Sequence, residues 1–403
     1  MTGVALAGLL LSAGIPGPVV GSQGSGVVAV SAAPVSTGIS TLIDVSKDGR
    51  IALGRLTETG PVVLRDLVKN KTLRTVKSSG NYIYKSLSSD GRYVAFNKTY
   101  KKGACTYSRP WVLDRRTGKA RLAATTKSGK QLLPTWSQAA KCAQISTAES
   151  SFGTYFHSGT RGPGQMSPDG RYVAFCANLT DPDRGDLYIK DMRNRKLTVR
   201  PGICHWTTEE PELYAPHVSE GARTIMLPFN DAGSTLSHRA DVLLNRTVVR
   251  TVAIPNSERI MLTDDGSAIY YQVGGENDGG RYDTATAAVT PLLVGDPMRR
   301  DEIQPGQEYR EPQAMSRRGR YAVYHGSRIT DPNVGRVGLI GVFDRDTGIA
   351  ADLAPAMTAA GVPLQIAGNL VVPNSLIPAE ISGDGEVVFF PTPTGWVSVR
   401  WMS

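Results

Sequence analysis

The chain has 403 residues, more than one compact core usually holds, so its length excludes a single small fold and leaves two or three domains or one long repeat array. Hydrophobic residues make up 40% and charged residues 20%, with 43 Gly and 25 Pro; such a composition excludes disorder and predicts many short elements joined by turns. Lys and Arg outnumber Asp and Glu by 45 to 36, a formal charge of +9 spread along the chain as a solvated surface, with neither a dense basic run nor an aromatic-interleaved platform, so nucleic acid is not an expected partner.

The first feature is an apolar stretch, VALAGLLL from Val4 to Leu11, followed by small residues and a Pro/Gly/Ser-rich segment to about Thr41. It resembles a secretory signal peptide, but no Lys or Arg precedes Lys47, so the first Met is expected to lie inside a longer leader. A run of that length is far short of the ~20 residues a bilayer needs, and no comparable run follows, so no membrane span is expected. Residues 1–26 are read as leader and linker, and 27–403 as the folded part.

From there one pattern recurs seven times: an apolar residue, Ser or Thr, one or two polar residues, a turn Gly, then an alternating strand. The copies are VSKDGRIALG from Val45, LSSDGRYVAF from Leu87, MSPDGRYVAF from Met166, VSEGARTIML from Val218, LTDDGSAIYY from Leu262, MSRRGRYAVY from Met315 and ISGDGEVVFF from Ile381. Asp-Gly is the expected source of the positive φ angles of a tight hairpin turn. Two copies depart from it, with Gly221-Ala222 in the fourth and Arg318-Gly319 in the sixth. A second half-repeat follows most copies, an apolar strand, Asp or Asn, a turn and another strand, as in LYIKDMRNRKLTV from Leu187 and WVLDRRTGKARLA from Trp111. Two hairpins per unit make a four-stranded antiparallel sheet that is apolar on both faces and must stack on like neighbours; radial stacking gives a β-propeller.

The turn and strand SPDGRYVAF at Ser167 to Phe175, with ANLTDPDRGDLYIKDMRNRKLT after it, resembles the repeat of TolB-type β-propellers, the Asp-Gly relatives of WD-repeat proteins. The likeness covers about residues 40 to 403. It implies an all-β fold of seven four-stranded blades, with six blades as the alternative if the fourth copy is not a blade. It implies no single activity, because such repeats frame scaffolds, peptidase accessory domains and polysaccharide lyases alike. After Phe390 the last copy has one more clear strand, so the ring lacks one strand, and residues 27–31 (VVAVS) are the expected partner that closes it. Leader cleavage would then fall near Ala13 and not after Ala32.

The four cysteines, Cys105, Cys142, Cys176 and Cys204, have no CxxC spacing, which argues against zinc. In an exported chain two disulfides are favoured, with Cys105–Cys142 and Cys176–Cys204 the first of three connectivities; in a cytosolic chain all four would be buried thiols. Gly91 and Gly170 are spaced 79 residues apart against the roughly 40–50 of a blade, and the excess falls at about 124–165. This insertion carries Trp136, Tyr155, Phe156, His157 and Arg161, residue types that anchor interfaces, and these are the candidate binding residues. A second excess, at 354–380, is apolar and reads as an extra packed strand. Asp181, Asp183 and Asp186 in one loop offer oxygen ligands to a hard cation, but the closing Glu of a calcium loop is missing, Asp331 and Asn333 repeat only its beginning, and a plain turn is the favoured reading.

No GxSxG elbow, HExxH, phosphate-cradling GxxxxGK[ST], or GxGxxG before a helix is present. His205 and His217 are the histidines placed where some propeller lyases hold a metal, though packed or surface roles are favoured for them. The expectation is a secreted or envelope-located, monomeric, non-enzymatic propeller without cofactor or metal, recognising a protein or cell-envelope polymer through loops on one face. The alternative is a carbohydrate-active lyase or hydrolase using that face.

Overall fold

The computed structural model describes residues 28–29, 35–77, 85–102, 105–132, 158–181, 184–204, 216–230, 237–255, 257–273, 280–291, 308–331, 335–359, 364–367, 370–373, 380–392 and 395–401. Each of the seven motif copies opens a four-stranded antiparallel sheet, and the sheets follow one another as the blades of a seven-bladed β-propeller, at 41–76, 85–122, 158–204, 217–255, 257–291, 308–352 and 380–400. The six-bladed alternative falls, because the irregular fourth copy builds a full blade. First strands of successive blades touch one another from blade one to blade five and again from six to seven, which puts them around the axis.

Blade three shows why the GRYVAF run is apolar throughout. Its strands Ser158–Met166, Tyr172–Asp181, Arg184–Asp191 and Leu197–Cys204 pair in chain order. Because side chains alternate, Tyr172, Ala174 and Cys176 pack toward blade four, while Val173, Phe175 and Ala177 pack toward blade two. Both faces are therefore buried. Phe175 is fully buried with its ring stacked on Tyr188, centroids 5.3 Å apart, a burial worth about 2–3 kcal/mol.

The turns differ from the expected hairpin. In the Asp-Gly turns only the Gly has positive φ, +69° at Gly170 for example, and the preceding Asp has not; in blade four both Gly221 and Ala222 have it, at +66° and +51°. The Asp acts through its carboxylate. In five turns the Ser or Thr hydroxyl donates to Asp48, Asp90, Asp169, Asp265 or Asp384 at 2.5 to 2.7 Å, and the same carboxylate accepts the amide two residues on. In all seven the hydroxyl oxygen also accepts the amide that starts the second strand. Glycine serves a second purpose here, because it is where blades meet. A Cβ on Gly170 would stand 2.5 Å from the Tyr93 ring of blade two, and one on Gly91 2.8 Å from Ile51 of blade one.

The half-repeat Asp is explained too. In four blades the Arg after the turn Gly pairs with it: Arg50 with Asp66, Arg92 with Asp114, Arg171 with Asp191 and Arg320 with Asp344, at 2.7 to 3.0 Å. Each of these carboxylates also accepts backbone amides of the next turn, so one residue locks both hairpins of a blade.

Three expectations need correction. An N-terminal strand does close the ring, but it is Val35–Ser36, antiparallel to Gly395–Arg400; Val28–Ala29, within the expected 27–31, instead runs parallel to Ala350–Asp352 at the edge of blade six. Val35 precedes Thr37, whose hydroxyl and amide both bond Trp396 O, and this anchor is what fixes the register. The insertion ends sooner than expected, since Ser158–Met166 is the first strand of blade three despite its Gly and Pro. The stretch after blade six is no single extra strand; it holds a short helix, Ala354–Ala359, whose first amide is capped by Asp352, and a hairpin of Leu364–Ala367 with Leu370–Pro373. Cys176 and Cys204 form a disulfide across the third strand of blade three, joining the second strand to the fourth. Cys142 lies outside the described residues, and with it the Cys105–Cys142 pairing.

Candidate functional site at the turn face of the ring

Ser, Asp, Gly and Arg of the motif are engaged in holding blades together, which leaves the residue directly after the Ser or Thr. It reads Lys47, Ser89, Pro168, Glu220, Asp264, Arg317 and Gly383 in the seven copies. Its backbone forms a ring around the axis: Lys47 N donates to Ser89 O at 2.7 Å, Ser89 N to Pro168 O at 2.8 Å, Glu220 N to Asp264 O at 2.6 Å and Asp264 N to Arg317 O at 2.8 Å, while Asp384 N donates to Lys47 O at 2.9 Å. Pro168 has no N–H to pass on, so the sequence of donors stops at blade three.

Side chains span the mouth where the backbone ring is interrupted. The Ser89 hydroxyl of blade two donates to Asp264 of blade five at 3.0 Å. Arg317 of blade six reaches Asp44 of blade one at 2.7 Å and the carbonyls of Val45 and Leu87 at 3.2 and 3.4 Å. Burial opposes the charge of Arg317, and the carboxylates of Asp44 and Asp264 outweigh it, so the guanidinium is held more firmly protonated than usual. Asp264 shows the opposite balance: burial raises its carboxyl, against the lowering pull of Arg317 and Ser89.

Around this plug lies an open depression of about 1010 Å³. Turns of blades two to five give it Asp90, Asp169, Glu220, Asp264 and Asp265; blades five and six give it Arg281, Arg318, Arg320, Arg345 and Tyr270. The arginine side coincides with a joint whose apolar contacts are divided among the described residues. Elsewhere neighbouring blades share one continuous apolar cluster, but between blades five and six it divides into Ala268 with Tyr270, and Ala322, Tyr324, Phe343 with Ala350, bridged by Met315. Along this seam Arg281 pairs with Asp283 at 3.3 Å, Arg320 with Asp344 at 2.8 Å and Asp346 at 3.3 Å, and Arg345 donates to the Tyr270 hydroxyl at 2.9 Å. Arg318 is exposed and has no partner among the described residues.

Of the residues singled out in the sequence, Trp136, Tyr155, Phe156, His157 and His205 lie outside the described residues. Arg161 lies on strand Ser158–Met166 opposite Cys176, at the end away from the Ser167 turn. The base of the insertion is fixed by Lys190, a buried lysine of blade three whose ammonium donates to the carbonyls of Thr125, Thr126 and Arg195 at 2.6 to 2.9 Å; burial first, then the nearby Arg195, lowers its pKa. His217 sits on the first strand of blade four, and burial pushes it down to about 4. Asp186 is turned inward, accepting Gly202 N at 2.8 Å and the Tyr188 hydroxyl at 3.3 Å, and Asp183 and Asn333 are outside the described residues. Among the described residues no group of His, Cys, Asp and Glu is gathered in a way that could hold a metal ion, and no helix is long and apolar enough to cross a membrane. The residues that line the mouth escaped the sequence reading, although a signal existed: one position varies freely inside a motif whose neighbours do not.

Compared by sequence, the chain matches no family model and no curated protein. Among solved structures it is similar to the β-propeller domain of Cps50 (Swd1) from Myceliophteria thermophila, at 13% identity over 92% of this chain and 99% of that one, with a TM-score of 0.46. It is also similar to TolB from Acinetobacter baumannii, at 13% identity over 76% and 79% with a TM-score of 0.33, and to an oligogalacturonate lyase in complex with manganese, at 13% over 93% and 91% with a TM-score of 0.45. Likenesses this distant carry no functional argument, and the propeller stands on the chain's own strand pairing.

Proposed function

We propose that the protein is an exported, monomeric, non-enzymatic propeller of TolB-like kind that recognises a protein or envelope polymer through its turn face. One observation carries this reading. A frame of seven similar turns, all fixed by the same bond to the Ser or Thr hydroxyl and five of them also by an Asp carboxylate, presents seven different side chains or backbones at one position, and a rigid frame with a varied surface is what contact recognition requires. The breadth and openness of the depression suit a segment of a large partner better than an enclosed small molecule. The Cys176–Cys204 disulfide fits an oxidising compartment and so supports export. A ring that pairs its own last strand leaves no blade edge that needs a second copy.

The test is a comparison of two variants in partner capture from the parent organism's envelope fraction. Replacing Lys47, Glu220 and Arg318 together by Ala is expected to abolish capture with an unchanged thermal midpoint. Removing residues 133–157, which enter the ring at the end of Ser158–Met166 away from the turns, is expected to leave it intact. Loss on the deletion alone would move the site to the insertion with Trp136 and Tyr155. Turnover of an envelope glycan by the purified protein, lost on His217 substitution, would replace binding by catalysis.

A further inference from the structure

Building on the turn-face reading, we infer that the seam between blades five and six accepts an acidic segment of a partner protein, with Arg318 as the selecting side chain. The second position after the Ser or Thr is an Asp in five turns, where it accepts both the hydroxyl and an amide. In blade six this position is Arg318. The Ser316 hydroxyl there keeps the bond from Tyr321 N, at 3.0 Å, and the turn keeps its backbone bonds Gly319 N to Ser316 O and Ser316 N to Tyr321 O at 2.7 and 2.8 Å, but no carboxylate joins them. The Tyr270 hydroxyl and Arg345 donate to Gly319 O of this turn at 3.0 and 3.2 Å, but Arg318 itself adds no bond to it among the described residues, and a broken local rule of that kind points to a use outside the fold.

The surroundings say what the cation faces. Arg281 and Arg320 are matched by their own aspartates, and Arg345 is held on Tyr270 with its guanidinium 5.4 Å from the ring centroid. Among the described arginines of the seam, Arg318 is left as the charge available to a ligand, beside the divided apolar joint. The carboxylates of Asp264 and Asp265 on the adjoining turn repel an anion, so acidic residues of a bound segment are confined to the seam. A guanidinium fork beside an aromatic ring suits a carboxylate side chain on an extended peptide.

The experiment measures fluorescence polarisation of the full-length protein with a labelled peptide alternating Glu and Ser, its Gln counterpart, and a galacturonate oligomer as competitor, at low and moderate salt. The key variant is Arg318→Asp, which restores the turn's own carboxylate and is expected to fold with an equal or higher thermal midpoint; Arg318→Gln serves as the neutral control. Salt-sensitive binding of the Glu peptide, weakened about tenfold or more by either variant and absent with the Gln peptide, is expected. No binding of the Glu peptide at low salt, binding unchanged in Arg318→Asp, or equally tight galacturonate binding with the same Arg318 dependence would overturn the inference. If it fails while Lys47 and Glu220 still govern capture of the envelope partner, the turn-face reading survives without it.

Discussion

Asp191 shows how much one residue does in this repeat. It is buried, accepts both Arg171 Nε and Nη2 at 3.1 and 2.7 Å, and caps the next turn through the Arg193 and Asn194 amides, each at 2.9 Å. Burial alone would raise its carboxyl, and these bonds, led by Arg171, hold it below the ordinary value. Its contribution is thus present above the unfolded pKa near 3.9 and lost as pH falls through the folded value. Asp191→Ala should cost about 2–3 kcal/mol at neutral pH in urea unfolding, with a smaller difference from the parent in acid. His217 titrates in a different window. Its folded value of about 4 lies below the unfolded 6.5, so the unfolded chain takes up a proton first and stability is lost as pH falls from 6.5 toward 4, by up to about 3 kcal/mol. Asp264, raised by burial, works in the opposite direction. Comparing His217→Gln with the parent at about pH 7 and about pH 4.5 isolates the histidine: the variant should lose less stability across that interval.

At the scale of the element, the turn glycines separate two demands. Gly221 in blade four, at the position an Asp takes in five other turns, has φ +66°, but a Cβ there would meet only Arg223 at 3.8 Å, whereas Gly170 has both a positive φ and the Tyr93 ring against it; Ala222 stands at Gly170's position in blade four with φ +51°. Gly221→Ala should therefore cost about 1 kcal/mol from backbone strain, and Gly170→Ala a further 1–3 kcal/mol from the clash. Equal costs in chemical denaturation would show that blades are not in register through their turns. The disulfide of blade three encloses a 28-residue separation, and its removal by Cys176→Ala with Cys204→Ala should lower stability by about 3–4 kcal/mol. These elements were legible to different degrees. The motif copies mark the second strand of every blade, because a tight turn followed by alternation has few other uses. Ser158–Met166 did not announce itself: its SGTRGPGQM sequence lacks alternation, and its pairing with Tyr172–Asp181 supplies what its own propensity does not. The turn's geometry was misread for a related reason, since Asp-Gly is shared by two turn classes and only the hydroxyl bond of the preceding Ser tells them apart.

For the whole molecule, closure is the property that makes a ring out of seven similar sheets. The Thr37 hydroxyl donates to Trp396 O at 2.7 Å and Trp396 N to Ile39 O at 2.9 Å, so Val35–Ser36 and the residues just after it complete the last blade. A chain starting at residue 34 should keep a cooperative thermal transition near that of the full chain, and one starting at residue 41 should lose it or melt far lower. The need for such a strand was visible in the last copy, one strand short, but its identity was not, because VVAVS is the better strand by propensity and Val35–Ser36 is chosen by the Thr37 anchor. The site was less legible than the fold. Lys47, Asp264 and Arg317 are far apart in sequence and meet only because the ring closes, while Arg161, the one described candidate of the insertion, lies at the other end of its blade. Hydrogen exchange of the full-length protein, with and without the partner recovered from the envelope fraction, tests the central claim most directly. Protection at the turns holding Lys47, Ser89, Asp264 and Arg318 is the predicted result. Protection confined to the far-side hairpin between Tyr93–Lys102 and Cys105–Asp114 and to the insertion, with the turns unchanged, would contradict it.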